Sequence, residues 1–204
     1  RTEPTVIKSI NEWIADENTK KIKQKKAKEQ KRKAKEKYAE KLNLVMEDMQ
    51  TVFVSVPYGI DHTLNVLENT RQIIKAEKLN WQSAIIAELT AILHDIGAIG
   101  AQKKHGSMEG RFQKLESLSI AAGIMEKRGY EQSIIDRVCY IIANHHTPGK
   151  INGVDFQILW EADLIENMQV MELVKDKTIL KQFIEENFKT ESGKEMVLNK
   201  YKIQ

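Results

Sequence analysis

Ala84–Gly97 reads AIIAELTAILHDIG. Ile85, Leu89, Ile92, Leu93 and Ile96 recur at helical spacing, which predicts a helix with one face in a core. The helix ends on His94 and Asp95, and Gly97 is placed to stop it. A neutral imidazole and a carboxylate at the end of a buried helix cost free energy unless something satisfies them. A divalent cation would satisfy both at once.

On either side of this stretch the same period continues. Residues 61–78 (DHTLNVLENTRQIIKAEK) place Leu64, Val66, Leu67, Ile73 and Ile74 on an apolar face, with His62 in the first turn. Pro57, Tyr58 and Gly59 break an earlier stripe formed by Leu42, Val45, Met49, Val52, Phe53 and Val56. Downstream, residues 96–110 (IGAIGAQKKHGSMEG) read as a glycine-rich loop carrying Lys103, Lys104 and His105. Phe112–Lys127 reads as a helix with Leu115, Leu118, Ala122 and Met125 as its stripe, closed by Gly129. Residues 132–146 (QSIIDRVCYIIANHH) form an apolar helix ending in His145–His146, stopped by Thr147, Pro148 and Gly149. Val154–Asn167 follows with Asp163 embedded among Phe156, Leu159, Trp160 and Ile165, and helices near 178–188 and 192–202 complete the chain. No alternating β-branched run reads as a strand. The fold expected is all-α, with residues 1–41 as a charged helical arm and 42–204 as a single domain.

Composition agrees with a protein that buries a sizeable core, at 41% hydrophobic residues. The net charge of +3 is uneven: residues 1–45 carry +7 and the remainder −4. Ile7, Ile10 and Ile14 share one face of a short amphipathic helix beside Trp13. Beyond them, residues 18–41 are rich in Lys, Glu, Gln and Ala, with Glu17–Lys21 and Glu29–Lys33 at favourable i,i+4 spacing. No apolar heptad is sustained, so no coiled-coil seam is expected. The arm lacks aromatic interleaving for base stacking and an apolar face for a membrane. It reads as a solvated helix or linker, with nucleic-acid contact as the alternative. The single cysteine, Cys139, lies in an apolar run, which suits a core thiol in a reducing compartment. No run long enough to cross a bilayer is evident, and a cytoplasmic location is the default expectation.

Four histidines fall at predicted helix ends bracketed by apolar sequence. Asp163 within FQILWEADLI is harder to explain as solvated, because buried carboxylates are nearly always paired or metal-bound. Glu161 and Glu166 read as its exposed neighbours. In this order, His62, then His94–Asp95 at a helix end, then Asp163 in an apolar helix, the chain resembles the HD-domain superfamily of metal-dependent phosphohydrolases. The resemblance spans about Val45 to Gln204.

The resemblance implies an all-helical scaffold on which His62, His94, Asp95 and Asp163 ligate a divalent metal. Such a mixed imidazole and carboxylate set suits Mn, Fe, Co, Ni or Zn better than Ca or Mg. It also implies room for a second ion, with Asp95 bridging. His145 and His146 stand in the right region for this, and Glu116 is expected to replace the family's remaining histidine. One ion or two are both open on this reading. The chemistry implied is metal-assisted hydrolysis of a phosphate mono- or diester, nucleotide-like, with Asp95 orienting the nucleophile. Lys103 and Lys104, with His105 beside them, are placed to neutralise phosphate charge. Arg71, Lys150, Asn144 and Thr147 are weaker candidates for contacts with the same small phosphorylated substrate. The alternative is a regulatory module that binds a phosphorylated ligand without turnover, its basic arm docking a partner.

Overall fold

The computed structural model describes residues 3–107, 110–171 and 176–203, with the side chains of 3–12, 14 and 110 outside the description. The faces read for Ile7, Ile10 and Ile14, and the part of the 96–110 loop at 108–109, therefore lie outside the described residues. The helices are α1 (Glu3–Val52), α2 (Pro57–Ala76), α3 (Trp81–Leu93), α4 (Ala98–His105) and α5 (Gly110–Lys127). They continue with α6 (Gln132–Asn144), α7 (Val154–Asn167), α8 (Lys177–Asn187) and α9 (Glu191–Lys200). There is no strand among the described residues, and the architecture is all-α.

The chain divides into two compact units, residues 1–41 and 42–204. In the first, the two helices expected from the composition change are one continuous run of α1. Its described surface is held by local ion pairs: Arg32 reaches Glu29 at 2.7 Å and Glu36 at 2.6 Å, and Lys20 reaches Asp16 at 2.9 Å. Lys33 lies 3.8 Å from Glu29, whereas Glu17 pairs with Lys20 rather than with Lys21. Trp13 and Ile22 are exposed.

The second unit is built around α3. Ala87, Leu89, Ala91, Ile92 and Leu93 are all buried, so this helix is apolar nearly all round its last three turns. It packs on α2, α6 and α7, while α4 lies on α5 and α5 on α6. Asn80 starts α3 by accepting from Gln82 N at 3.1 Å and Ser83 N at 3.0 Å. Pro57 opens α2, where its missing N–H has no helical partner to lose. From α1, Leu42, Val45 and Met49 enter this core, as does Phe53 just beyond its end. Asp48 accepts from Arg128 at 2.7 Å and 2.8 Å, a bidentate pair that fastens α1 beyond the end of α5.

Two expectations change here. The 96–110 segment is not a simple loop, because α4 occupies most of it. Residues 81–105 together, 25 residues, contain an 18-residue window with the mean hydropathy of a membrane-spanning helix, 1.5. Neither α3 nor α4 alone does, since the chain turns at His94–Gly97 between them. Over half of that window is buried inside the body. On α5, Leu115 of the expected stripe is 63% exposed, whereas Met125 is buried, together with Gln113, Ser117 and Ala121, which lie outside that stripe.

Gly97 does not end α3 in a left-handed conformation: its φ is −86°. Its use is steric. A Cβ there would press into Ser117 and lie 2.7 Å from the carbonyl oxygen of Gln113. Gly97 N donates to Ser117 Oγ at 2.9 Å, locking the turn after Asp95 onto α5. Gly97→Ala is expected to lower stability by about 1–3 kcal/mol through overpacking. Urea unfolding reads this, and a midpoint matching wild type would show that α5 yields freely.

Candidate metal centre

His94 and Asp95 follow immediately on the last residue of α3, and His145 and His146 on that of α6. The last carbonyls of a helix lack intrahelical partners. Each of these two helices uses one of them to aim a histidine. The His94 ring places Nδ1 2.9 Å from Ala91 O, and His145 places Nδ1 2.7 Å from Ile142 O. With Nδ1 engaged by a carbonyl three residues back, Nε2 faces inward, and in the neutral ring its lone pair is open to a cation. His62, on the second turn of α2, and Asp163, on the third turn of α7, point into the same space.

Four side chains from three helical elements thus converge. His62 Nε2 lies 3.3 Å from His94 Nε2, 3.3 Å from Asp163 Oδ1 and 3.7 Å from Asp95 Oδ2. His94 Nε2 lies 3.4 Å from Asp95 Oδ2 and 3.7 Å from Asp163 Oδ1. Donors held about 2.0–2.2 Å from one ion in tetrahedral array are separated by about 3.3–3.6 Å. The spacing of His62, His94 and Asp95 is that of the edges around a single cation, and Asp163 stands beside both histidines. Asn167 Nδ2 donates to Asp163 Oδ1 at 2.9 Å and fixes the carboxylate from behind.

A second group shares Asp95. Its Oδ1 lies 3.4 Å from His145 Nε2, and His146 completes a set of three possible donors. His145 Nε2 is buried with no hydrogen-bond partner. A buried imidazole nitrogen with an unused lone pair facing a carboxylate is what a cation would satisfy.

The charges reinforce this geometry. Burial works to raise the Asp95 carboxyl, but the neighbouring His94 and His145 outweigh it and hold it well below the usual carboxylate range. Burial pulls His94 down, yet Asp95 and Asp163 push it up to about 9. Asp163 is likewise opposed by burial and lowered on balance by His62 and His94. Desolvation and the neighbouring His145 keep His146 below the ordinary imidazole value, leaving it neutral. The cluster thus offers carboxylates among imidazoles, donors that suit a divalent cation.

The remaining sequence candidates fall elsewhere. Glu116 belongs to neither group: it pairs with Lys104 at 2.6 Å and with His105 at 3.2 Å. The residue of α5 that faces Asp95 is Gln113, whose Nε2 donates to Oδ1. It lies nearly one turn before Glu116, so the expected carboxylate substitute gives way to a neutral amide. Lys104, held by Glu116, does not line the cleft over the cluster, whereas Lys103 does. Arg71 pairs with Glu88 at 2.6 Å. Glu161 is not an exposed neighbour of Asp163 but is completely buried on another side of α7. Gln113, Asn167 and Tyr58 were not singled out from sequence, and neutral side chains give no charge signal by which to find them.

Two cavities flank the cluster. One, of about 600 Å³, is walled by Phe53, Val56, Tyr58, Ala98 and Ile99 and reaches His62, Asp95 and Gln113. The other, of about 300 Å³, is lined by Arg111, Lys114, Asn144, His145, His146 and Thr147 among others.

The HD domain family matches residues 59–187, a span that contains every residue of both groups. The chain belongs to the HD-domain family, whose members bind divalent metals. It is also similar to the crystal structure of a predicted HD superfamily hydrolase from an uncultured Thermotogales bacterium, with 27% sequence identity and a TM-score of 0.53. That likeness covers 80% of this chain and 84% of the other. Comparison with curated proteins gave no match.

Proposed function

We propose that this protein is a metal-dependent phosphohydrolase that cleaves a phosphate mono- or diester, nucleotide-like, with His62, His94, Asp95 and Asp163 holding the cation. The observation that carries the reading is that His62, His94 and Asp95 stand 3.3–3.7 Å from one another and that Asp163, from a third helix, stands 3.3 Å and 3.7 Å from the two histidines. Nitrogen and carboxylate donors together favour Mn, Fe, Co, Ni or Zn. When bound, such an ion supplies Lewis-acid polarisation of a phosphoryl oxygen and a water ionised near neutral pH.

The chain's own groups do the rest. Asp95 turns Oδ2 toward the first group and Oδ1 toward His145, so it is the residue placed to orient a nucleophilic water between the two. Gln113 fixes the rotation of that carboxylate. His145 and His146 offer further donors beside Oδ1, enough for a second ion or for the substrate's oxygens. Lys103, on the cleft wall, is placed to offset phosphate charge. Lys104 acts indirectly, tying α4 to α5 through Glu116.

The test is metal analysis of protein purified without chelator, followed by a panel of generic phosphoesters and nucleotides with added Mn²⁺. Turnover that chelation removes and the metal restores supports the reading. Tight ligand binding with no product overturns the catalytic part and points to a phospho-ligand binding module. Metal per folded chain distinguishes one ion from two.

A further inference from the structure

The two cavities beside the cluster differ in chemistry, and the difference bears on which half of the substrate lies where. The larger, about 600 Å³, falls within the range of about 300–1,000 Å³ that small organic ligands occupy. Of its polar groups, His62, Asp95 and Gln113 belong to the cluster, with Ser55, Gln102 and Lys103 also on its lining. The remaining wall is dominated by Phe53, Val56, Tyr58, Ala98 and Ile99, which offer little for a sugar or glycerol to hydrogen-bond. The smaller cavity is cationic and polar.

Tyr58 is the conspicuous part of this wall. It is 75% exposed, although tyrosine rings bury large apolar area when they can. Its ring leans over His62 with planes 23° apart and centroids 6.5 Å apart. Opposite, Phe53 is nearly buried, and Gly59 is what lets its ring lie so near: a Cβ at 59 would stand 2.7 Å from Phe53 Cε1. An exposed aromatic face, a packed aromatic floor and an aliphatic side at Ile99 together make a slot for a flat uncharged group.

We infer that this chamber binds the aromatic half of the phosphoester, such as a nucleobase, with Tyr58 as its stacking face and therefore as a specificity-determining residue. The inference rests on the phosphohydrolase reading for its phosphate end. The charged end of the ligand lies inward at the cluster, and the planar end lies along the link between α1 and α2.

The experiment uses the metal-loaded full chain and the variants Tyr58→Ala and Tyr58→Phe. Rates are compared for adenosine monophosphate and glycerol phosphate, and binding of adenosine, which has no phosphate, is measured by calorimetry. Base–aromatic stacking predicts that Tyr58→Ala lowers kcat/KM for the nucleotide about tenfold or more and weakens adenosine to a similar extent. Glycerol phosphate changes less than about twofold, metal content is unaltered, and Tyr58→Phe retains the preference because only the ring face is used. Equal losses on both esters, or an unchanged adenosine affinity in Tyr58→Ala, overturn the assignment. If no phosphoester is turned over, the hydrolase reading fails by itself. Adenosine then decides the chamber: binding that Tyr58→Ala weakens upholds it, and no binding overturns it.

Discussion

Replacing Asp95 by alanine is expected to strip the chain of its bound cation and to abolish hydrolysis. This carboxylate serves both groups, with Oδ2 toward His94 and His62 and Oδ1 toward His145. Its loss removes one of two negative charges from a cluster of imidazoles, and leaves His94 buried without its main counter-charge. The cation's share of transition-state stabilisation is several kcal/mol, so a fall of about a thousandfold or more in turnover follows. Asp95→Asn keeps the shape and discards the charge, and is expected to lose the metal as well. Elemental analysis beside a phosphatase assay reads both, with circular dichroism confirming that the variants fold. Normal metal content with retained activity would refute the ligand assignment.

The second large effect lies on α7, the helix that carries Asp163. Glu161 is completely buried and accepts from Lys189 N at 2.6 Å, Thr190 N at 2.9 Å and Gln157 Nε2 at 2.7 Å, as well as from Thr190 Oγ1. It is the anchor for the turn between α8 and α9. Gly193 packs so tightly there that a Cβ would fall on the Glu161 carboxylate. Glu161→Ala leaves several buried donors without an acceptor, each costing about 1–3 kcal/mol, so a loss of about 3 kcal/mol or more is expected. Glu161→Gln preserves one oxygen and should cost less. Denaturant unfolding decides it, and a variant within about 0.5 kcal/mol of wild type would show that water replaces the carboxylate.

Glu161 also shows where sequence reading stops. Residues two apart on a helix point about 200° apart, so Glu161 and Asp163 face opposite ways along α7. The apolar pattern of FQILWEADLI says that carboxylates are embedded there, but not that one faces the cluster and the other anchors α9. That depends on which helices pack on each side. His94 and Asp95 were legible because a buried helix ending in two polar groups has few explanations, and His62 because it opens the preceding apolar helix.

Gln113 was illegible for the opposite reason. Glu116 carries the charge that a ligand search looks for, yet its position on α5 turns it toward Lys104 and His105. Gly97 was read as a helix stop, a local role, when its purpose is the approach of α5 behind it. Such contacts between distant segments leave no periodic trace. The unbroken course of α1 was likewise hidden, since the change from an apolar to a charged composition at residues 14–18 alters what the helix faces and not whether it forms.

The way α3 and α6 end has a consequence for the order of loading. Both helices bring their carboxyl termini to the cluster, and each such terminus carries the equivalent of about half a negative charge. The basin is therefore electronegative before either aspartate is counted. A phosphate approaching the bare chain meets this field, with Lys103 on one side and Arg111 and Lys114 on the other as counterweights. On the proposed function, affinity for phosphorylated ligands is expected to rise once a cation offsets these charges, so that it reports on metal supply.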